Sequence, residues 1–179
     1  MWGGSCYGMS ATALLSMEGL FPYSAYGKDA DCLYDLYCPL EDFEISSLIT
    51  YYQMLQVKDV IQQQYRTVPN RSHATNIKAI LTQLDSSSTA LVGFQKAGWG
   101  GHAILAYDYS YGSWTWDGVT YDGCIYIADP NHSMSYDKSC NIYFNSSTYQ
   151  WAIPFYSGSR ISSAYGAVFN YIGSSVSEI

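Results

Sequence analysis

The chain has 179 residues and a formal net charge of −7 at pH 7. This length suits one domain with a sizeable core, and the acidic balance argues against a nucleic-acid partner, because phosphate binding needs clustered Lys and Arg. The hydrophobic fraction of 48% and the charged fraction of 13% argue against disorder. No apolar run approaches the roughly 20 residues of a membrane-spanning helix, and no charged segment followed by an apolar one precedes Trp2.

The first informative stretch runs from Trp2 to Ser10 and contains Cys6 between glycines. The residues from Ala11 to about Gly19 predict a helix that ends at a glycine suited to the left-handed conformation. Cys6 would then lie at a helix N-terminus, where unpaired N–H groups and the helix dipole favour thiolate over thiol. The alternative is a buried, inert cysteine.

The middle of the chain predicts further helices. Phe21 to Leu40 is irregular and is interpreted as a surface excursion. Apolar spacing between Asp42 and Arg66 predicts one or two helices with a break near Gln56. Ser72 can cap a helical segment that runs to about Leu84, and we expect His73, in its first turn, to be solvated.

The second half is rich in short strand-like runs separated by Gly, Asn, Asp and Ser. Helices followed by strands predict an α+β protein. We expect a single domain over 1–179, with a helical half at about 1–88 and an antiparallel β-rich half at about 89–179. The predicted strands are Ala90–Phe94, His102–Tyr109, Trp114–Val119, Cys124–Ala128, Asn141–Phe144, Tyr149–Pro154 and Ala164–Ile172.

Two stretches in this half could supply catalytic partners for Cys6. The glycine-rich segment Gly98 to Gly101 leads into His102 at the start of an apolar strand, a rigid position that suits a general base. Asp129 ends a later strand just before a proline. If the two strands are neighbours, Asp129 can accept a hydrogen bond from the imidazole and fix its tautomer.

Each of these residues has a simpler interpretation. His102 alone could be a strand-end histidine satisfied by backbone groups, and Asp129 could belong to an ordinary Asp-Pro turn. Asn131 competes with Asp129 as the group that orients His102. His132 is a weaker candidate for the base.

The five cysteines suggest a split into one plus four. Cys32 with Cys38 and Cys124 with Cys140 are possible disulfide pairs, which would leave Cys6 as one free thiol in an extracellular protein. Reduced, buried cysteines are the alternative. Met1 lies five positions before Cys6, an abrupt start, so we expect this domain to come from a longer protein with additional domains.

Taken together, these motifs resemble those of the papain-like cysteine peptidase superfamily. The run Gly4-Ser5-Cys6-Tyr7-Gly8 is similar to the nucleophile motif of that family, with Tyr7 where tryptophan is commoner. The run His102-Ala103-Ile104-Leu105-Ala106-Tyr107 resembles its histidine strand. Ala128-Asp129-Pro130 resembles the bacterial branch related to bacteriocin-processing transporter peptidases.

The resemblance implies a papain-like fold in which the nucleophile begins a core helix. It implies a secreted or cell-surface bacterial hydrolase that cleaves a peptide or protein substrate with Cys6, His102 and Asp129. Tyr7, Trp99, Gly100 and Gly101 would line the substrate cleft, and Tyr7 and Trp99 could equally be packing residues. The family places an oxyanion-hole glutamine shortly before the nucleophile, whereas no Gln or Asn precedes Cys6 here.

Two other functions remain open at this point. The same three residues could serve an amidase or an acyl-transferase, and a catalytically inactive papain-like domain could serve as an extracellular binding module. We expect no cofactor and no metal, because the three histidines are widely separated and lack zinc-like spacing.

Overall fold

The structure is a computed structural model that describes residues 4–26, 43–59, 72–87, 89–96, 100–132, 141–157 and 169–174. Its helices are α1 (Cys6–Met17), α2 (Phe43–Met54), α3 (His73–Ser87) and the short α4 (Pro154–Ser157). Its strands are β1 (Ala90–Lys96), β2 (Gly100–Trp116), β3 (Val119–Ala128), β4 (Ile142–Phe144), β5 (Trp151–Ala152) and β6 (Phe169–Ser174).

The strands form one sheet in the order β5-β4-β3-β2-β1-β6, and each neighbouring pair is antiparallel. This arrangement confirms the predicted α+β class. The long strand β2 lies between β1 and β3. Its first residues pair with β1, and its pairing with β3 begins at Leu105. His102, for example, pairs with Phe94 of β1.

The core divides into apolar clusters on the two faces of the sheet. Along β2, Ala103 and Leu105 pack with the buried residues of α1 and α2, whereas Ile104 and Ala106 pack with those of α3. Successive side chains of a strand point to opposite faces, which explains this alternation. The apolar run of β2 is therefore buried on both faces, and it holds the start of the strand rigidly.

Helix α1 is anchored at its first turn by α2. A Cβ atom at Gly8 would lie 2.1 Å from the Ile49 carbonyl oxygen, so only glycine allows the two helices to approach this closely. The Gly8 N–H donates to Gln53 Oε1 at 2.8 Å. This bond satisfies one of the backbone donors that a helix N-terminus leaves without an intrahelical acceptor.

The hairpin of β2 and β3 differs from the predicted strand boundaries. A separate strand over Trp114–Val119 is wrong, because β2 continues to Trp116 and the chain turns at Asp117 and Gly118. These two residues have φ angles of 47° and 78°, as a two-residue hairpin turn of the Asp-Gly type requires. Two register shifts, at Ala106/Asp108 and Tyr111/Trp114, interrupt the β2–β3 ladder.

The other helix predictions agree with the structure where it describes them. Helix α1 ends before Gly19, whose φ is 71°. Ser72 caps α3 by accepting a hydrogen bond from the Thr75 N–H at 3.1 Å. Helix α2 passes into a short 3₁₀ turn over Leu55–Val57, the position of the expected break. None of the described helices has the length and apolar character needed to cross a membrane.

Two predictions about single residues are corrected. His73 is half-buried rather than solvated, because its Nδ1 accepts a hydrogen bond of 2.9 Å from the Trp151 indole. Cys124 is a buried free thiol, so its predicted pairing with Cys140 is wrong. Cys140, the proposed Cys32–Cys38 pair and most of the excursion from Phe21 to Leu40 lie outside the described residues.

Candidate active site

Cys6 is the first residue of α1, preceded by Ser5 as the N-cap. Gly4 has a φ of 116°, a conformation that favours glycine and brings the chain sharply into the helix. The thiol is half-buried and hydrogen-bonds to the His102 side chain and to the backbone of Ala103. The sequence therefore places a sulfur at a helix N-terminus and directly beside an imidazole.

Ala103 fixes α1 against β2 through both of its backbone groups. Its carbonyl accepts a hydrogen bond of 3.0 Å from the Ser10 hydroxyl, while its backbone also bonds to Cys6. Ser10 and Cys6 are four residues apart on α1, so they lie on one face of the helix. One turn of α1 is thus held to the residue that follows His102.

His102 lies at the start of β2 and is 6% exposed. Its Nε2 lies 2.9 Å from Asp129 Oδ1. Because Nε2 faces the carboxylate, Nδ1 is the ring nitrogen that remains for the Cys6 sulfur. The imidazole therefore bridges a thiol and a carboxylate, which is the arrangement that the sequence motifs predict.

Asp129 follows the last residue of β3 and is also 6% exposed. Besides the bond to His102, its Oδ1 accepts a hydrogen bond of 2.9 Å from the Asn131 N–H. Its Oδ2 accepts a short hydrogen bond from the Tyr156 hydroxyl. Three donors thus surround a buried carboxylate, which compensates for the loss of water around its charge.

The geometry distinguishes Asp129 from Asn131 as the group that orients His102. The Asn131 Nδ2 lies 3.4 Å from His102 Nε2, but an amide nitrogen can only donate. A protonated Nε2 also donates, so it needs an acceptor, and Asp129 supplies one at 2.9 Å. Asn131 instead contributes its backbone N–H to the carboxylate.

Two aromatic rings pack against the imidazole of His102. Phe94 meets the His102 ring edge-on with centroids 5.5 Å apart, and the Tyr156 ring lies 5.2 Å away. Phe94 and Tyr156 also contact each other at 5.1 Å. This apolar packing limits water access to the hydrogen bond between His102 and Asp129, so that bond is stronger than it would be at an exposed surface.

The three ionisable groups shift one another's pKa values in the directions that favour their charged forms. Burial alone would lower the pKa of His102, but the hydrogen bonds and charges of Asp129 and Cys6 raise it to about 9. Burial likewise opposes ionisation of Cys6 and Asp129, yet the hydrogen bond from His102 holds the pKa of each below its ordinary value. Each shift favours the charged form of its group, namely the thiolate, the imidazolium and the carboxylate.

The remaining predicted site residues have varied positions. Tyr7 is 5% exposed and packs in the cluster of α1 and α2, so the packing interpretation applies to it. Gly100 and Gly101 lie in β2 opposite Lys96 and Gln95, and Trp99 lies outside the described residues. His132 packs against the Phe155 ring at 4.1 Å, and its backbone N–H donates to the Asp129 carbonyl.

Sequence reasoning missed Tyr156, Phe94, Ser10 and Gln53. Each of them contacts the site or its supporting helix through the three-dimensional fold, and none lies in a recognisable motif. The Pro154-Phe155-Tyr156 run carried an aromatic signal, but 19 tyrosines in the chain make one tyrosine uninformative. Among the described residues, no group of three His, Cys, Asp or Glu side chains is arranged to hold a metal ion.

Comparisons with family models, curated proteins and solved structures find no match to this chain.

Proposed function

We propose that this chain is a cysteine peptidase of the papain-like type that hydrolyses peptide bonds through Cys6, His102 and Asp129. The observation that carries the proposal is the continuous set of hydrogen bonds from Cys6 through His102 to Asp129. Nucleophilic catalysis by cysteine needs such an activated sulfur, a base beside it and a third group that orients the base. The resemblance of the motifs to the papain-like superfamily supports the same function.

In the first half of the proposed reaction, the Cys6 thiolate attacks the carbonyl carbon of the peptide bond and forms a carbon–sulfur bond. The carbonyl electron pair moves to the oxygen, which gains negative charge. When the tetrahedral intermediate collapses, the carbon–nitrogen bond breaks and His102 donates its proton to the leaving amine. The product is a thioester between Cys6 and the acyl part of the substrate.

In the second half, a water molecule attacks the thioester while His102 accepts its proton. The carbon–sulfur bond breaks, and the acid product and the thiolate are released. Asp129 stays ionised throughout, because its role is to hold the Nε2–H of His102 and to stabilise the imidazolium.

The oxyanion that forms during acylation needs hydrogen-bond donors. The Cys6 N–H is a natural donor, because Cys6 begins α1 and its N–H has no acceptor within the helix. The N-terminal end of the helix dipole also favours negative charge at this point. A backbone donor at the nucleophile itself is thus available to the proposed reaction.

A peptide library offered to the wild type and to three variants tests the proposal. We expect cleavage by the wild type, its loss in Cys6→Ala and His102→Gln, and its retention in Cys124→Ala, which removes the other described free thiol. Mass spectrometry of the quenched reaction should detect an acyl group on Cys6. Incorporation of an added amine in place of water would instead indicate an acyl-transferase.

The proposal would be contradicted if the wild type cleaved no peptide and no peptide formed an acyl group on Cys6. If Cys6→Ala then kept the binding of a peptide or protein partner, an inactive binding module would explain the chain better. The comparison uses the protein with every native segment that precedes Cys6, so that a missing donor to the oxyanion does not decide the outcome.

A further inference from the structure

Tyr156 contacts the candidate site, although it lies outside the sequence motifs around Cys6, His102 and Asp129. It lies on α4, 27 residues after Asp129 in sequence, and is 6% exposed. Its hydroxyl donates to Asp129 Oδ2, on the opposite carboxylate oxygen from the one that binds His102. Its ring packs against both His102 and Phe94.

We propose that Tyr156 is a positioning residue that keeps the Asp129 carboxylate ionised and oriented toward His102. The inference rests on the proposed function, because it assigns Tyr156 a role in the Cys6–His102–Asp129 set. It goes further by extending that set to a fourth side chain, one that does not contact the reacting atoms.

The donors around Asp129 show why one hydroxyl matters. Oδ1 has two partners, His102 and the Asn131 N–H, whereas Tyr156 is the partner of Oδ2 in the described residues. A buried carboxylate oxygen that loses its donor keeps the cost of desolvation without compensation. Removal of the hydroxyl therefore favours the protonated carboxyl group and lets the carboxylate rotate away from Nε2.

The hydroxyl is itself held in place. Asn131 Nδ2 lies 3.4 Å from the Tyr156 oxygen, so Asn131 can donate to Tyr156 while Tyr156 donates to Asp129. Donation to a hydroxyl oxygen polarises its O–H and strengthens the bond that it donates onward. The Asp-Pro-Asn turn therefore supports the carboxylate twice, through the Asn131 backbone and through Tyr156.

The titratable groups that face this carboxylate are few in the described part of the chain. His102 approaches from β2 and Tyr156 from α4, while Cys6 on α1 lies beyond the imidazole. His132 follows in the same turn, with its ring against Phe155 and its N–H on the Asp129 carbonyl. The hydrogen bonds from His102 and Tyr156 are the side-chain contacts that lower the pKa of Asp129 against the effect of burial.

The sign of the expected effect follows from these contacts. Without the Tyr156 hydroxyl, the pKa of Asp129 rises, so His102 loses its anionic partner at a higher pH. The imidazolium then stabilises the Cys6 thiolate less well on the acid side. We expect the acid limb of Cys6 reactivity to move to higher pH, while reactivity near neutral pH and above changes little.

The test is the pH dependence of Cys6 alkylation by iodoacetamide in wild type, Tyr156→Phe and Tyr109→Phe. Tyr156→Phe keeps the ring and removes only the hydroxyl. Tyr109→Phe is a matched control, because Tyr109 also donates to a carboxylate, Asp85, at 2.8 Å, but at an exposed position. We expect the acid midpoint to rise by about half a pH unit in Tyr156→Phe, with alkylation about threefold slower on the acid limb, and to stay in place in Tyr109→Phe.

Asn131→Ala is a second variant at an exposed residue and should raise the midpoint by a smaller amount. If Tyr156→Phe does not fold, the midpoint of Asn131→Ala decides the question alone. If the acid midpoint equals the wild-type value in whichever of these two variants fold, the inference is overturned and Tyr156 is a packing residue. The proposed function fails in a different way, namely if wild-type Cys6 already titrates like an ordinary thiol.

Discussion

Two regions of the molecule each contain a cysteine and a histidine, and the pKa shifts in the two regions are opposite. At the contact between α1 and β2, Cys6 and His102 bond to each other, whereas around β3 to β5 Cys124 and His73 have separate partners. At the first contact, the pKa of Cys6 is lowered and that of His102 is raised to about 9. In the second region, burial raises the pKa of Cys124 to about 12, and burial lowers the pKa of His73. The charged forms of the same two residue types are thus favoured in one region and disfavoured in the other.

The difference lies in the partners that each region provides. Cys124 hydrogen-bonds to the Asn141 side chain, and His73 Nδ1 accepts from the Trp151 indole, so both have neutral partners. Cys6 and His102 have each other, and His102 also has the Asp129 carboxylate. Burial therefore disfavours the charged forms in both regions, and at Cys6 and His102 the hydrogen bonds and opposite charges outweigh it.

The largest effect is expected when the imidazole of His102 is removed. In His102→Gln, Cys6 loses its charged partner but stays half-buried, so its pKa should rise to or above the ordinary thiol value. We expect its alkylation by iodoacetamide at about pH 6 to slow by about a hundredfold. Site-specific rates follow from mass spectrometry of the labelled peptides.

Cys124→Ala is the control for that measurement, because it should leave the Cys6 rate within about twofold of wild type. An unchanged rate in His102→Gln would mean that the helix N-terminus and the Ala103 backbone lower the pKa of Cys6 without the imidazole. The two regions would then differ in their backbone environment rather than in their charges.

The second test removes the charge and keeps the hydrogen bond. In Asp129→Asn, the amide oxygen can still accept from His102 Nε2, but burial is no longer opposed by a carboxylate. The pKa of His102 should fall well below about 9, its value beside Asp129. Alkylation of Cys6 at about pH 6 should slow by about tenfold.

The loss of peptide cleavage at high pH is a second, independent measurement on Asp129→Asn. If peptide cleavage occurs, its loss at high pH should follow deprotonation of His102, with a midpoint near 9 in the wild type. In Asp129→Asn this midpoint should move to lower pH. A midpoint that does not move would assign the alkaline limb to another group.

That Cys6, His102 and Asp129 belong to one candidate site could be predicted from the sequence, because each has a local signature. A glycine-flanked cysteine before a helix, a histidine after glycines and an aspartate before proline each fix a position at the end of an element. The α+β class and the cap at Ser72 were predictable for the same reason. These features depend on neighbours in sequence.

The distance between His102 and Asp129 was not predictable, because it depends on the register of β2 and β3. Each register shift in that hairpin places one extra residue on β2. The two shifts together move the position on β2 that faces Asp129 by two residues toward His102, compared with a ladder that continued unbroken from the turn. Bulges of this kind leave little trace in a single sequence. Tyr156 was missed because its contact with Asp129 depends on the fold of the whole β half.

A smaller effect is expected at His73. Its contribution to the free energy of unfolding should depend on pH in the opposite sense from that of a histidine whose pKa is raised, such as His102. The pKa of His73 lies below 6.5 in the folded protein, so its contribution to stability is present above pH 6.5 and is lost as pH falls through the folded value. Protonation also turns Nδ1 into a donor, which breaks the bond from Trp151.

His73→Gln supplies the reference for this effect, because glutamine can accept from the indole and does not titrate. Between about pH 7 and about pH 5, the free energy of unfolding of the wild type should fall more than that of His73→Gln. Urea denaturation at both pH values measures the difference. Parallel changes in the two proteins would show that His73 titrates normally.

The smallest effect concerns Cys124, which is fully buried and has no charged partner among its described contacts. With a pKa of about 12, it should resist iodoacetamide in the native protein at about pH 8, whereas Cys6 reacts. In denaturant without reductant it should react at once, because it is a free thiol. A Cys124 that reacts only after reduction would show that it forms a disulfide.

Cys124→Ala should lower the free energy of unfolding by about 1 kcal/mol, through lost packing and the lost bond to Asn141. Cys124→Ser, which keeps a donor at the same place, should bury a more polar group and cost a similar amount. Both variants should leave the pH profile of Cys6 at its wild-type midpoint. A shift in that midpoint would mean that the two regions are coupled through the sheet, and the opposite pKa shifts of the two cysteines could then no longer be assigned to their local partners alone.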